Sequence, residues 1–272
     1  YLYNSNNTPY HCSDTADNPD PMDYPSTLGY RTVDNNRSHR LHTLLSAEDS
    51  ITYERFKEIK YDRKFNDPIR TSYMDNLNDI RTLDPEKFPD IAPVIQVLKD
   101  WELGTEPDSK GATVMSLFLE YYLEGRNAQG LVWQVDHLSE DQFADILRDV
   151  QKHLKRKFRS VEVPLGEFQQ HVRGKVSLPI GGCPDVLAAQ YIEPHKKGRY
   201  RVMSGESFIM LVNFKADGTY VMEAVNAYGA SANKKSPHYT DQMELYVNQQ
   251  LRPVQLELEI VKAKAKTNYH PQ

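Results

Sequence analysis

Cysteine is nearly absent, with Cys12 and Cys183 the only two in 272 residues. Two thiols are too few for a disulfide framework or a zinc cage, and leave open only a single bridge between them. An excess of positive charge is missing as well: 33 lysines and arginines stand against 38 acids, for a net charge of -5. Such a chain has no basic field to hold a nucleic-acid backbone, so nucleic acid is excluded as a partner. No run of about 18 apolar residues occurs, so no membrane-spanning helix is expected. The opening residues, Tyr1 to Tyr10, are polar and do not read as a secretory leader. Also lacking are a Walker or Rossmann glycine loop, a Cys-x-x-Cys pair and a His-Glu-x-x-His helix, which argues against nucleotide and zinc chemistry. What is present is a 39% hydrophobic composition. A chain of this length can bury roughly 75% of its unfolded surface, so it folds around a true core.

Residues 1–31 are rich in Asn, Asp, Pro and Gly without sustained periodicity and read as an ordered loop. Residues 32–160 are mainly helical. Leu41, Leu44 and Leu45 share a face, and Ile51, Phe56 and Ile59 continue it after Asp49 and Ser50 as candidate caps. Val94, Ile95, Val97, Leu98 and Trp101 repeat at helical spacing before Gly104, and Val114, Leu117, Phe118, Tyr121 and Tyr122 do so before Gly125. The strongest signal starts at Ser139, a cap with Gln142 placed to reach back, and runs through Phe143, Ile146, Leu147, Val150, Leu154 and Phe158. The lysines and arginines at its end offset the helix macrodipole.

Residues 161–272 change to mainly strands with a terminal helix and tail. Phe208 to Phe214 and Tyr220 to Val225 flank Asp217-Gly218 and predict a hairpin. Phe208, Met210, Val212 and Phe214 share one face of its first strand while Ile209 and Leu211 share the other, so that strand is expected to be covered on both sides. Val254, Leu256, Leu258 and Ile260 alternate along the tail.

Several groupings invite chemistry. His39 and His42, three apart, are expected to face solvent rather than a metal. Asp14, Asp17, Asp20 and Asp23 offer the oxygen ligands calcium prefers, without EF-hand spacing. Ser236, His238 and Asp241 could make a Ser-His-Asp hydrolase, but their crowding in one segment favours Ser236 as a helix cap before Pro237. Gly181-Gly182-Cys183-Pro184-Asp185 reads as a turn carrying a structural cysteine. Asn4-Ser5-Asn6-Asn7-Thr8-Pro9 concentrates compact amide donors, suited either to stabilising an oxyanion or simply to turning the chain.

This last segment resembles the Asn-x-Asn-Asn-Ser/Thr-Pro run of the penicillin acylase family of N-terminal-nucleophile hydrolases. Other segments resemble the same family in the same order. They are Asn36-Arg37-Ser38-His39-Arg40-Leu41, Gly205-Glu206-Ser207-Phe208-Ile209-Met210-Leu211-Val212, Tyr228-Gly229-Ala230-Ser231 and Ser236-Pro237-His238-Tyr239-Thr240-Asp241-Gln242. The resemblance implies an α+β fold, part of a four-layer αββα sandwich. It implies an amidohydrolase working through an acyl-enzyme, with Asn6 completing the oxyanion hole and Arg37 organising the network around the nucleophile's amino group. No cofactor is required, and calcium is the one ion left open. The family attacks with a serine that opens the large subunit, and Tyr1 stands first here. The chain is therefore expected to be the C-terminal part of that subunit, inactive alone. Its expected partners are the remaining part of the large subunit, the small subunit and a small-molecule N-acyl substrate. The wording of the late segments lies nearer the acyl-homoserine lactone and aculeacin acylases. Periplasmic location follows by the same analogy. The alternative is a catalytically silent scaffold or binding module of the same fold.

Overall fold

A computed structural model describes residues 1–13, 15–129 and 134–265, which fall into two compact units, Tyr1–Gly205 and Glu206–Gln272. Their helices and sheets form an α+β fold.

The first unit opens as a loop with an isolated bridge between Leu2 and Ser13 and short 3-10 turns. Helix α1 (Asn36–Ser46) is capped by Asn35, whose side chain accepts from the Ser38 N–H. Helix α2 (Tyr53–Lys60) is capped by Thr52, not by Asp49 or Ser50. Thr52 is the hydroxyl residue placed three before the Arg55 N–H, and Oγ1 accepts that proton at 3.1 Å. Phe56 departs from the expected inward face and is exposed.

Helix α4 (Lys110–Gln129) touches both α3 (Ala92–Lys99) and α5 (Glu140–Phe158). Gly111 to Leu119 are buried all round α4, as a central helix requires. Gly111 is needed there, because a Cβ would sit 2.3 Å from the Trp101 ring. Helix α4 does not stop at Gly125. The buried Arg126 beyond it donates to Tyr122 Oη and Tyr73 O, and these bonds outweigh the glycine's propensity cost of about 1 kcal/mol. On α5, Ser139 and Gln142 form the expected capping box, and Phe143, Leu147, Val150 and Leu154 are buried. Phe118 and Phe143 stack at 5.8 Å across the α4–α5 contact.

The short helix α6 (Leu165–Phe168) leads into a four-stranded sheet of β1 (Gln169–Arg173), β2 (Val176–Pro179), β3 (Gln190–Pro194) and β4 (Tyr200–Gly205). Its order is β2-β1-β4-β3, with β1 and β4 parallel and the outer pairs antiparallel. Between β2 and β3 lies the Gly181–Asp185 turn. Gly182 has φ +99°, and a Cβ there would lie 2.4 Å from Ala188 O, so glycine alone fits. The buried Gln169 amide donates to Ile180 O and Gly182 O and ties this turn to β1.

In the second unit, β5 (Phe208–Phe214) and β6 (Tyr220–Asn226) form the predicted hairpin, paired from Phe208↔Asn226 to Phe214↔Tyr220. Gly218, with φ +83°, takes the left-handed position of the turn. The expectation that β5 is covered on both sides is not met. Ile209 and Leu211 are buried, while Phe208, Met210 and Phe214 are 53%, 47% and 78% exposed. One apolar sheet face is therefore left open, which buried alternation alone could not reveal. Helix α7 (Met243–Val247) packs on β6, and β7 (Arg252–Pro253) adds a short third strand. The tail does not continue as a strand: Leu258 and Ile260 lie in α8 (Leu258–Lys264), where Leu, Glu, Lys and Ala supply helix propensity. No described helix is long and apolar enough to cross a membrane.

Candidate active site

The asparagine run folds as two interlocking side-chain turns. Asn4 Oδ1 accepts from the Asn6 N–H and Asn7 Oδ1 from the Ser5 N–H, each at 2.7 Å. Asn6 itself sits at φ 62°, a left-handed conformation that asparagine tolerates better than most residues. The cap residue Asn35 fastens this loop to α1, because its Nδ2 donates to Ser5 O at 3.1 Å and to Asn6 O at 2.9 Å. One residue thus starts the helix and holds the loop. Asp34 adds a further tie, accepting from the Thr8 N–H and pairing with His11.

The structure brings Asn6 and Arg37 together, 31 residues apart in sequence: Arg37 Nη1 donates to Asn6 Oδ1 at 3.2 Å. A guanidinium has donors only, so it selects the carbonyl end of the amide and leaves Nδ2, a donor, on the opposite side. Asn6 lines a cleft of about 430 Å³ with Asn7, Pro9, Tyr30, Val33 and Ser72. Among the described residues lining this cleft, no hydroxyl is hydrogen-bonded to a histidine, lysine or carboxylate. Among these described residues an amide donor is present, and an activated nucleophile is not.

Arg37 has two more neighbours that sequence reasoning missed. Nη2 donates to Tyr191 Oη on β3 at 3.1 Å, and Nε lies 3.5 Å from Asp185 Oδ1. Asp185 is buried at φ 64°, and its carboxylate accepts from the Asn36 N–H while its carbonyl accepts from Asn36 Nδ2. Burial pushes its pKa up to about 6, against the opposing pull of Arg37 and the backbone donors of α1. The sequence signal was faint, since an Asp after Gly-Gly-Cys-Pro reads as turn chemistry. Only the fold brings it, 149 residues along the chain, against Asn36 of α1 and inside the protein.

The other candidates make bonds of their own. Tyr1 Oη is hydrogen-bonded to His42 Nδ1 at 2.9 Å and to Ser46 Oγ at 3.1 Å. His39 and His42 are half-buried rather than solvent-facing, and burial lowers the His39 pKa. This α1 face packs against the N-terminal loop, which the helical period could not show. Asp14 lies outside the described residues, and Asp20 caps a 3-10 turn by accepting from the Met22 N–H. Among the described residues, no three His, Cys, Asp or Glu side chains gather to hold a metal ion. Cys12 and Cys183 are both free, and Cys183 is fully buried with its thiol pKa driven well up. In the second unit, His238 Nδ1 and Asp241 Oδ2 pair at 2.7 Å, but Ser236 Oγ accepts from the His238 backbone N–H as a cap.

An amide held by a guanidinium thus lines this cleft, and comparison with known proteins gives the chain's family. The chain belongs to the penicillin amidase family, whose family model matches residues 1–263. It is 34% identical, over 89 residues, to the acyl-homoserine lactone acylase PvdQ of Pseudomonas putida KT2440, a match covering 32% of this chain and 11% of that protein. It is also similar to the thermostable penicillin G acylase of Alcaligenes faecalis, with 13% identity and a TM-score of 0.47. That match covers 94% of this chain and 56% of the acylase chain, so the chain spans only part of the length of these relatives.

Proposed function

We propose that this chain is part of an amide hydrolase that cleaves an N-acyl substrate through an acyl-enzyme, with Asn6 as an oxyanion donor and Arg37 as the residue that orients it. The observation that carries the reading is the Arg37 Nη1 to Asn6 Oδ1 contact at the rim of a cleft. A carbonyl under attack gathers negative charge on oxygen, and a fixed neutral N–H stabilises it without giving up its proton. Arg37, always charged, keeps the amide from turning over and adds positive potential. Among the described residues lining the cleft no hydroxyl is paired with a base, and the family resemblance implies that the serine and its amino-terminal base belong to other polypeptide of the same acylase. The open face of β5 supports such a partner, because exposed apolar surface of this kind is a docking surface in waiting. The remaining large-subunit segment and the small subunit are the partners this reading names, and the periplasm is the location the resemblance suggests. The isolated chain is expected to be inactive.

The test is replacement of Asn6 by alanine in the complete acylase. Loss of one oxyanion donor should lower kcat by roughly 10²- to 10³-fold with little change in KM. Turnover within about threefold of wild type refutes the assignment.

A further inference from the structure

We infer that Asp185 and Tyr191 are positioning residues of this site: together they clamp Arg37 so that its third nitrogen fixes the Asn6 amide. The inference rests on the oxyanion reading and extends it to two residues that touch neither Asn6 nor the cleft. An arginine has a long flexible stem, so an untethered guanidinium would sweep a wide volume beside Asn6. Here every nitrogen of the fork has its own constraint. Nη1 donates to Asn6 Oδ1 at 3.2 Å, Nη2 donates to Tyr191 Oη at 3.1 Å, and Nε faces Asp185 Oδ1 at 3.5 Å.

The two holders act differently. Nε is buried without a hydrogen-bond partner, so Asp185 holds Arg37 by charge rather than by a directional bond. Direction comes from Tyr191, whose hydroxyl catches the far end of the guanidinium. Both holders stand on rigid parts of the first unit. Asp185 sits in the turn pinned by Gly182 and is bonded twice to Asn36, the neighbour of Arg37 on α1. Tyr191 belongs to β3, paired with Ser204 of β4. Arg37 is therefore clamped between α1 and the β2–β3 side of the sheet. The loop backbone is held by Asn35, but the Asn6 side chain is exposed and Arg37 is its named side-chain partner, so the plane of its amide is inherited from this clamp. Freed from the clamp, the amide turns about its χ2 angle and Nδ2 spends much of its time pointing away from the reaction.

The experiment is nitrogen-edited NMR of this chain, following the Asn6 side-chain amide, assigned by its loss in Asn6→Ala. Tyr191→Phe removes one oxygen and keeps the ring, and Asp185→Asn removes the charge. Each should move the Asn6 amide signals toward their positions in Arg37→Ala, while the Asn7 side-chain amide stays in place. An Asn6 amide that moves in Arg37→Ala but not in Tyr191→Phe, with the Tyr191→Phe protein folded by circular dichroism, overturns the inference. In the complete acylase, Tyr191→Phe should lower kcat about 10-fold at unchanged KM, as expected for a misaimed donor rather than weaker binding. A displaced amide with unchanged kcat leaves the clamp standing and refutes the oxyanion role of Asn6, so the two failures are told apart.

Discussion

Replacing Asp185 with asparagine should remove a pH slope from the stability of the first unit. The carboxyl is 4% exposed, and its pKa rises from the ordinary 3.8 to about 6 because burial costs the charged form more than Arg37 returns. The sign follows from proton linkage. Between these two values the folded protein holds a proton that the unfolded chain has released, so raising the pH favours unfolding. The stabilising contribution is fully present below the unfolded value near 3.8 and is lost as pH rises through about 6. At about 1.4 kcal/mol per pKa unit, the loss is roughly 3 kcal/mol in total, and about 2 kcal/mol of it falls between pH 4 and pH 7.5. The neighbouring ionisable groups are Arg37 on α1, Cys183 in the same turn, Tyr191 on β3 and Tyr73. Burial pushes the three acidic ones further up, so Asp185 is the member of this cluster that titrates near pH 6. Urea unfolding of wild type and Asp185→Asn, followed by tryptophan fluorescence, measures the effect. Trp101, 5% exposed, is a probe within the first unit. The difference between the two unfolding free energies should change by about 2 kcal/mol across that range, in favour of the asparagine variant at high pH. A difference flat to within about 0.5 kcal/mol, or of opposite slope, refutes the argument that burial outweighs the Arg37 charge.

Four further outcomes are expected. A disulfide-exchange reagent should titrate Cys12 in the native chain and reach Cys183 only in denaturant, because Cys183 is buried and its thiol is held protonated; rapid reaction at both would refute that burial. Ser139→Ala should cost about 1 kcal/mol by breaking the capping box, and Leu147→Ala about 2–5 kcal/mol by opening a cavity under α5, both read by denaturant unfolding. Serine at both Phe208 and Phe214 should reduce self-association of this chain in analytical ultracentrifugation without lowering its stability by more than about 1 kcal/mol, since both rings are solvent-exposed; unfolding would show that the β5 face is covered after all.

The sequence by itself determined the elements whose signals are local. Ser139 and Gln142 specify the start of α5, Asp217-Gly218 specifies the β5–β6 turn, and Ser236-Pro237 specifies a capped turn. In each case the residues that make the bonds lie within a few positions of one another. Asn6 and Arg37 were legible as a pair only through their motifs, because nothing local states that a loop asparagine and a helix arginine meet. The tertiary structure decided the remainder. It buried Asp185 against a helix that begins 149 residues earlier, between Asn36 and Asp185. It carried α4 past Gly125 by giving Arg126 buried partners, and it left one face of β5 open. Apolar alternation reports that a side chain prefers to leave water, but not whether this chain provides the surface that covers it. Hydrogen-bond geometry between distant segments, and the desolvation that shifts a buried carboxyl, exist only once the chain has closed on itself.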